Sequence, residues 1–431
     1  MRRIPVLAAV AVLASLVPAG ASPAPPPPQP RVVVAVIDTA PNPYHEFVHA
    51  GGGPYTTAPP SSVTPDVLAE FGIDEAHVIR VTRTGDFAAD FDQDRAQFDA
   101  IRKGEPYWFE GTNIIAISFN NTDKQRLRPD GTVSQHGVGT YSAVLAANPE
   151  AIVVSVEGPG GADRPIEQAW AFGHPAVDLV STSYGPPFSP PLTSGMTHSY
   201  RGVVTNGKLL VGASDNSPAL SPIDQTSGPW WSIGVAGYHE GSNGGREPLS
   251  GSLPDVVGDF TQTLPYCRRC EAGMSSASGT SFATPRTAGT LSKIILEARR
   301  AAGHTGGIDM TAEGGPLLVS TGGFSISGWD VRRAMEEAAY VPRTADYSPG
   351  AAVPVNDGAP WAQVGWGAVT PDVAKGVVAE GLAQLGVAGT PTRSKDAATC
   401  AFMTANMQAR FSYWTDVIGD TPPTPYPYIA C

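Results

Sequence analysis

Short runs of apolar residues alternate with helical patterns over the first half of the chain. The apolar runs lie at 31–38, 112–119, 151–156, 177–183 and 208–214, and the helical patterns lie near 136–147, 164–173 and 196–206. Runs that are apolar on both faces are typical of buried parallel strands. The alternation therefore predicts an α/β fold with a doubly wound, mostly parallel sheet and helices on both faces. In such sheets ligands bind beyond the carboxyl ends of the strands, which directs attention to Asp38, to residues 183–186, and to Asp215 and Asn216.

The first residues have the three-part pattern of a secretory signal. Two arginines precede an apolar run from Ile4 to Val17, and small residues follow as far as Ala21. Because the run is too short to span a bilayer, we expect residues 1–21 to be a cleaved signal peptide and 22–30 to be a proline-rich spacer. No later segment is long and apolar enough for a membrane helix, so we expect a secreted protein without a membrane partner after cleavage.

The remainder, about 400 residues, is enough for one large α/β domain with extensions or for two ordinary domains. Residues 39–135 connect the first strand to the helix at His136, and most of this stretch, about 39–111, is a long insertion. The whole connection at 39–135 contains the strand at 112–119 and a predicted short helix near 91–103, so we expect it to be folded. Beyond Gly386 the chain becomes polar and proline-rich, which predicts a C-terminal tail over 386–431 that packs on the main domain.

Charge and cysteine content narrow the possible partners. The chain has 28 Lys plus Arg and 40 Asp plus Glu, a formal net charge of −12, which argues against nucleic acid or an anionic membrane as a partner. Four cysteines in an exported chain favour disulfides over a zinc site, because only Cys267 and Cys270 have the Cys-x-x-Cys spacing. We predict the pairs Cys267–Cys270 and Cys400–Cys431, which is one of three possible connectivities.

Three segments carry residues that suit nucleophilic catalysis. Asp38 ends a predicted buried strand, His136 begins a predicted helix, and Ser281 begins another. Each has a simpler explanation: Asp38 could cap a turn, His136 could be an exposed helix cap, and Ser281 could be the N-cap of its helix. A nucleophilic serine needs a base and a carboxylate that orients the base, and the three segments supply both.

The segments VAVIDTA, SQHGVGTYSAVLA and SGTSFATP occur in this order, and in them the chain resembles the subtilisin-like serine peptidases. The resemblance implies that Asp38, His136 and Ser281 form a catalytic triad. Gly139 departs from the pattern, because the family usually has a second histidine there.

Further segments extend the resemblance over most of 31–385, which would be the peptidase domain. VDLVSTSYGPP resembles the family's substrate-binding wall, which implies that Ser183, Tyr184 and Gly185 contact the substrate. LLVGASDNSP resembles the strand that carries the oxyanion-hole asparagine, here Asn216, and VGWGAVTPDVA at 364–374 resembles the family's closing helix.

The implied function is that of a secreted serine endopeptidase that acts on peptides or proteins, is a monomer and requires no cofactor. Calcium is possible, since family members often bind it and Asp90, Asp92 and Asp94 alternate in the insertion. Against calcium, Arg95 replaces the glycine of an EF-hand loop and no glutamate stands at its twelfth position. A solvated acidic helix start is the competing interpretation.

Two other classes remain as alternatives. Ala21 and Asp38 are only 17 positions apart, so no inhibitory folding domain of the kind found in secreted relatives fits between them. This absence and the altered histidine motif favour a degenerate subtilase-like module that binds peptides or proteins without cutting them. An α/β-hydrolase esterase is disfavoured, because Ser281 stands in G-T-S-F-A rather than G-x-S-x-G.

Overall fold

A computed structural model describes most of the chain outside its first 28 residues. The described ranges are 29–131, 134–158, 165–184, 193–216, 225–238, 254–321, 323–339, 364–369, 374–387 and 397–418. The predicted signal peptide, most of the proline-rich spacer, Gly185 and Cys431 therefore lie outside the described residues.

Twelve strands are described, and ten of them form one sheet. In chain order they are β1 (Val33–Asp38), β2 (Val78–Ile79), β3 (Pro106–Phe109), β4 (Ile114–Ser118), β5 (Ile152–Glu157), β6 (Leu179–Thr182), β7 (Leu209–Ala213), β8 (Ile233–Tyr238), β9 (Val256–Asp259), β10 (Thr261–Leu264), β11 (Ser275–Ser278) and β12 (Ala368–Val369). The order across the large sheet is β12-β9-β8-β7-β6-β1-β5-β4-β3-β2, whereas β10 and β11 form a separate antiparallel pair.

The helices lie between and after these strands. The described α-helices are α1 (Pro65–Glu70), α2 (Phe87–Asp99), α3 (His136–Ala147), α4 (Pro165–Gly173), α5 (Ser194–Tyr200), α6 (Thr280–Ala302), α7 (Gly328–Ala338), α8 (Ala374–Gln384) and α9 (Ala397–Ile418). None of them is both long and apolar enough to cross a membrane, as far as the described residues go.

The sheet confirms the predicted fold class, a doubly wound and mostly parallel sheet with helices on both faces. Every neighbouring pair of strands is parallel except β3 with β4. All residues of β1 and of β5 are buried, and both strands are apolar except at Asp38, Ser155 and Glu157. Helices α3 and α6 pack against each other and against β1, so the beginnings of these two helices come close to the end of the central strand.

The insertion extends the sheet rather than standing apart from it. Strands β2 and β3 continue the sheet beyond β4, and α1 and α2 lie in the same stretch of chain. Helix α2 starts four residues earlier than the prediction near 91–103, because Asp86 caps it by accepting a hydrogen bond from the Ala89 amide at 3.3 Å. The helix ends at Asp99 rather than at 103.

The C-terminal segments also differ in part from the prediction. Within the predicted closing helix at 364–374, residues 368–369 are strand β12, whose backbone pairs with Val257 and Gly258, and helix α8 begins only at Ala374. In the described part of the tail, α9 packs on the main domain through buried side chains. Trp414 donates from Nε1 to the Gly228 carbonyl at 3.1 Å, and its ring meets that of Trp231 edge-on at 5.6 Å.

Candidate active site

Asp38 and His136 meet where strand β1 ends and helix α3 begins. His136 Nδ1 lies 2.8 Å from Oδ2 and 3.0 Å from Oδ1 of Asp38, whose residue surface is only 8% exposed. The same carboxylate accepts hydrogen bonds from the Thr39 amide at 2.7 Å and the Thr140 hydroxyl at 3.2 Å. Because a carboxylate can only accept, the ring must carry a proton on Nδ1, which is the tautomer that a histidine base requires.

A glycine allows α3 to begin this close to the end of β1. A Cβ atom at Gly137 would lie 2.1 Å from the carbonyl oxygen of Thr39, which no side chain could tolerate. The Gly137 amide instead donates to the Thr39 hydroxyl at 2.8 Å. The glycine after His136 therefore determines how closely the imidazole approaches Asp38.

Ser281 is the second residue of α6 and does not cap it. Gly279 is the N-cap residue, with φ 143° and no side-chain capping bond, so the N-cap explanation of Ser281 is wrong. Ser281 and Ser183 are joined by two hydrogen bonds: Ser183 Oγ donates to the Ser281 carbonyl at 2.8 Å, and Ser281 Oγ donates to the Ser183 carbonyl at 3.4 Å.

The ring of His136 lies beside the first turn of α6, with its centroid 5.4 Å from that of Phe282. Among the described residues, the acceptor of the Ser281 hydroxyl is the Ser183 carbonyl rather than the His136 ring. Catalytic hydrogen bonds of this type often tighten only when the substrate binds.

Asn216 lies in a small cleft beside Ser281. The cleft has a volume of about 100 Å³ and is lined by residues 183–184, 213–216 and 280–281. Asn216 Oδ1 accepts from the Thr280 amide at 2.9 Å and from the Thr280 hydroxyl at 3.0 Å. These two bonds determine the orientation of the Asn216 side-chain amide. Nδ2 is therefore the group of Asn216 that can donate to another molecule. Asp215 is exposed in the same cleft.

In the predicted substrate-binding wall, Tyr184 is held by hydrogen bonds to its side chain and to its backbone. Its hydroxyl accepts from Gln168 Nε2 at 2.8 Å, and its carbonyl accepts from the Thr226 hydroxyl at 2.7 Å. Gln168 is buried on α4. No local sequence pattern predicts either partner, because the two contacts join residues that lie 16 and 42 positions apart.

Aromatic rings fill the space beside Gly139, where the family usually has a second histidine. A Cβ atom at Gly139 would lie 2.6 Å from Cε1 of Phe282 and 2.9 Å from Cδ2 of Tyr266. The two rings meet edge-on at 5.4 Å. Burial raises the pKa of Tyr266, and the negative charge of Asp38 adds to this, so the phenol stays neutral beside the site.

The acidic residues of the insertion are not gathered around one point. Asp90 and Asp94 are buried on one face of α2, where each accepts two hydrogen bonds from a threonine. Asp92 is exposed and bonds with Arg95 at 2.6 Å. The solvated helix start proposed as the competing interpretation therefore holds for Asp92 only. Within the described ranges, no group of three or more His, Cys, Asp or Glu side chains is arranged to hold a metal ion.

The sequence matches a known protein family. The sequence model of the subtilase family matches residues 29–367. No curated protein is similar enough to the chain to count as a match.

Several solved structures are similar to the chain at low sequence identity and low TM-score. The prenylagaramide maturation protease PagA is 11% identical, with a TM-score of 0.45 over 82% of this chain and 94% of its own. A lanthipeptide protease is 14% identical, with a TM-score of 0.46 over 81% of this chain and 88% of its own. The PatG macrocyclase in complex with peptide is 12% identical, with a TM-score of 0.42 over 81% and 92%.

Proposed function

Because the chain belongs to the subtilase family, we propose that it is a secreted serine endopeptidase that hydrolyses peptide bonds through Asp38, His136 and Ser281. The observation that supports this best is the contact of His136 Nδ1 with the Asp38 carboxylate at 2.8 Å. The contact presents a base of the correct tautomer beside the first turn of the helix that carries Ser281.

In the proposed mechanism His136 takes the proton of the Ser281 hydroxyl as that oxygen attacks the scissile carbonyl carbon. Asp38 stabilises the imidazolium that forms, and His136 then gives the proton to the leaving amine. The carbonyl oxygen becomes negatively charged and is stabilised by Asn216 Nδ2 and by the Ser281 amide at the start of α6. Water hydrolyses the acyl-enzyme, and His136 again acts as the base.

The substrate is proposed to be a peptide or protein that lies along residues 183–185, as the family resemblance implies. The contacts of Tyr184 with α4 would make this wall rigid before the substrate arrives. The mechanism needs no cofactor. We further propose that the secreted protein is a monomer with the disulfide pairs Cys267–Cys270 and Cys400–Cys431. The first pairing is supported by a Cα–Cα distance of 5.9 Å, which is within the usual range for a disulfide.

A serine-directed fluorophosphonate probe and a fluorogenic peptide library test the proposal together. Wild-type protein should be labelled once, at Ser281, and should cleave members of the library. Ser281→Ala should lose both activities while its melting temperature changes little. Ser276→Ala is the matched control, because Ser276 is an exposed serine of β11 and its loss should leave labelling and cleavage unchanged.

The alternative is a subtilase-like module that binds peptides without cutting them. The bond from the Ser281 hydroxyl to the Ser183 carbonyl favours it, because that bond directs the hydroxyl proton to an acceptor other than the His136 ring. Wild-type protein that is folded, is not labelled by the probe and retains peptides without cleaving them would support the module and refute the peptidase.

A further inference from the structure

A short turn closed by Cys267 and Cys270 lies against the loop that follows Asp38. The two cysteines are joined as a disulfide, and their carbonyl oxygens face the same side-chain amide. Asn42 Nδ2 donates to the Cys267 carbonyl at 3.1 Å and to the Cys270 carbonyl at 2.8 Å. One NH₂ group can make both bonds only while the two carbonyls stay close together, which the closed turn ensures.

Asn42 also ties this turn to the helix that carries His136. Asn42 is fully buried. Its backbone amide donates to the Tyr141 hydroxyl at 3.2 Å, and its backbone carbonyl accepts from that hydroxyl at 3.1 Å. Tyr141 lies on α3, five positions after His136. Asn42 itself lies four positions after Asp38, so it connects the elements of both residues to the turn.

Arg268, within the turn, makes a second connection at the start of α3. Its side chain is buried and donates from Nη1 to the Ser134 carbonyl at 3.5 Å. That carbonyl also accepts from the Thr39 hydroxyl at 2.8 Å. The Ser134 hydroxyl in turn accepts from the His136 amide at 3.1 Å. Hydrogen bonds thus link the turn to the loop after Asp38 and to the backbone before His136.

We propose that the Cys267–Cys270 turn is a positioning element for Asp38 and His136, that Asn42 is the residue through which it acts, and that opening the disulfide lowers turnover. This inference rests on the proposed peptidase function. Neither Asn42 nor the turn touches the reacting atoms, so both act by holding the end of β1 and the start of α3 in register. A misplacement of about 1 Å at such a site can cost about 100-fold in rate.

The disulfide makes this positioning sensitive to reductants. A dithiol such as dithiothreitol would reduce the S–S bond in two exchange steps. The two cysteine sulfurs take up two electrons and two protons and become thiols, and the dithiol is oxidised to its cyclic disulfide. The turn is then free to open, and its two carbonyls need no longer converge on Asn42.

A double-mutant cycle tests the proposal on the full chain. The single changes are Asn42→Ala and the paired Cys267→Ser with Cys270→Ser, and the third variant combines them. Each single change should lower kcat about 10- to 100-fold with little change in KM, and the combination should be little worse than either, because both disable one connection. Additive losses, or losses confined to KM, would overturn the proposal.

Asn113→Ala is the matched control for lost stability. Asn113 is also buried and makes a similar set of bonds, accepting from the Ser62 amide at 2.9 Å and donating to the Pro149 carbonyl at 2.9 Å, but it does not contact the turn. This variant should lose stability yet keep its kcat. Dithiothreitol should lower kcat of the wild type but not lower it further in the paired cysteine variant, which controls for reduction of Cys400. An equal kcat loss in Asn113→Ala would contradict a positioning role.

Amide hydrogen exchange supplies a measurement that does not depend on peptidase activity. Exchange at 134–138 should become at least 10-fold faster in Asn42→Ala and in the paired cysteine variant, and should stay unchanged in Asn113→Ala. If the wild type fails to cleave peptides but the variants show these exchange changes, the peptidase proposal is refuted and the positioning contact stands. Unchanged exchange in an active enzyme would refute the positioning role alone.

Discussion

Asn216 offers the sharpest test of the proposed oxyanion hole. Its Oδ1 lies within hydrogen-bonding distance of the Thr280 amide at 2.9 Å and of the Thr280 hydroxyl at 3.0 Å, so Oδ1 and Nδ2 have different roles. Oδ1 holds the side chain in place, and Nδ2 would donate to the oxyanion. Asn216→Ala removes both ends, whereas Asn216→Asp keeps an acceptor for Thr280 and removes only the donor.

The two variants should therefore differ in stability and agree in turnover. Loss of one oxyanion donor costs about 2.7 to 4 kcal/mol in the transition state, or about 100- to 1000-fold in kcat. Asn216→Asp should lose at least as much, because a carboxylate has no proton to donate and repels the developing charge. Asn216→Ala should also lose about 1 to 2 kcal/mol of stability, since the Thr280 amide loses its acceptor, whereas the Thr280 hydroxyl keeps its bond to the Ser214 carbonyl.

The assay is steady-state hydrolysis of a fluorogenic peptide, with urea unfolding to measure the free energy of unfolding. KM should change little, because the contact strengthens only in the transition state. Asp215→Asn is the control in the adjacent position and should have a much smaller effect on kcat. If Asp215→Asn reduced kcat more than Asn216→Ala did, Asn216 would not be the oxyanion donor, and the assignment of this strand end would be wrong.

Three further results are expected. Peptidase activity should fall as the pH drops below about 6 to 7, where a histidine base such as His136 becomes protonated, and a profile that stays flat to pH 5 would contradict that role. Arg410→Ala should lower the free energy of unfolding by about 1 to 3 kcal/mol, because Arg410 bonds the fully buried Asp255 at 2.8 Å and the Gly228 and Pro229 carbonyls, while Asp255 keeps its ion pair with Arg332. Arg300→Ala, which breaks surface ion pairs with Glu297 at 2.7 Å and with Glu150, is its control and should cost about 1 kcal/mol or less in the same urea unfolding. Mass mapping of non-reduced peptides should find Cys400 joined to Cys431, and a bond from Cys270 to Cys400 would refute this pairing.

The sequence predicted the central strands well because burial on both faces leaves a clear pattern. Strand β1 and strand β5 are buried throughout, and each stands out as an apolar run. Strands β2 and β12 are only two residues long. Segments this short become strands through the backbone of a neighbouring strand rather than through their own composition, so no local pattern could reveal them.

The candidate site could likewise be predicted from the sequence only in part. The segments around Asp38, His136 and Ser281 could be identified from their motifs, because each motif combines a reactive side chain with the local turn that presents it. The bonds of Thr280 to Asn216 and of Ser183 to Ser281 could not, since they span 64 and 98 positions of the chain. Such contacts follow from how the loops converge at one edge of the sheet, which is a property of the whole fold.

Gly139 shows how a local departure can have a different meaning in the folded protein. From the sequence, the missing second histidine weakens the motif around His136 and so favours a module that binds without cutting. In the structure, the Phe282 and Tyr266 rings occupy the space where a side chain at 139 would stand. Both residues belong to the chain segment around Ser281, and Phe282 packs beside His136. A glycine at 139 is what allows this packing, so its presence is no evidence that the site has decayed. The choice between peptidase and binding module therefore depends on the Ser281 hydroxyl and its two neighbours, Ser183 and His136.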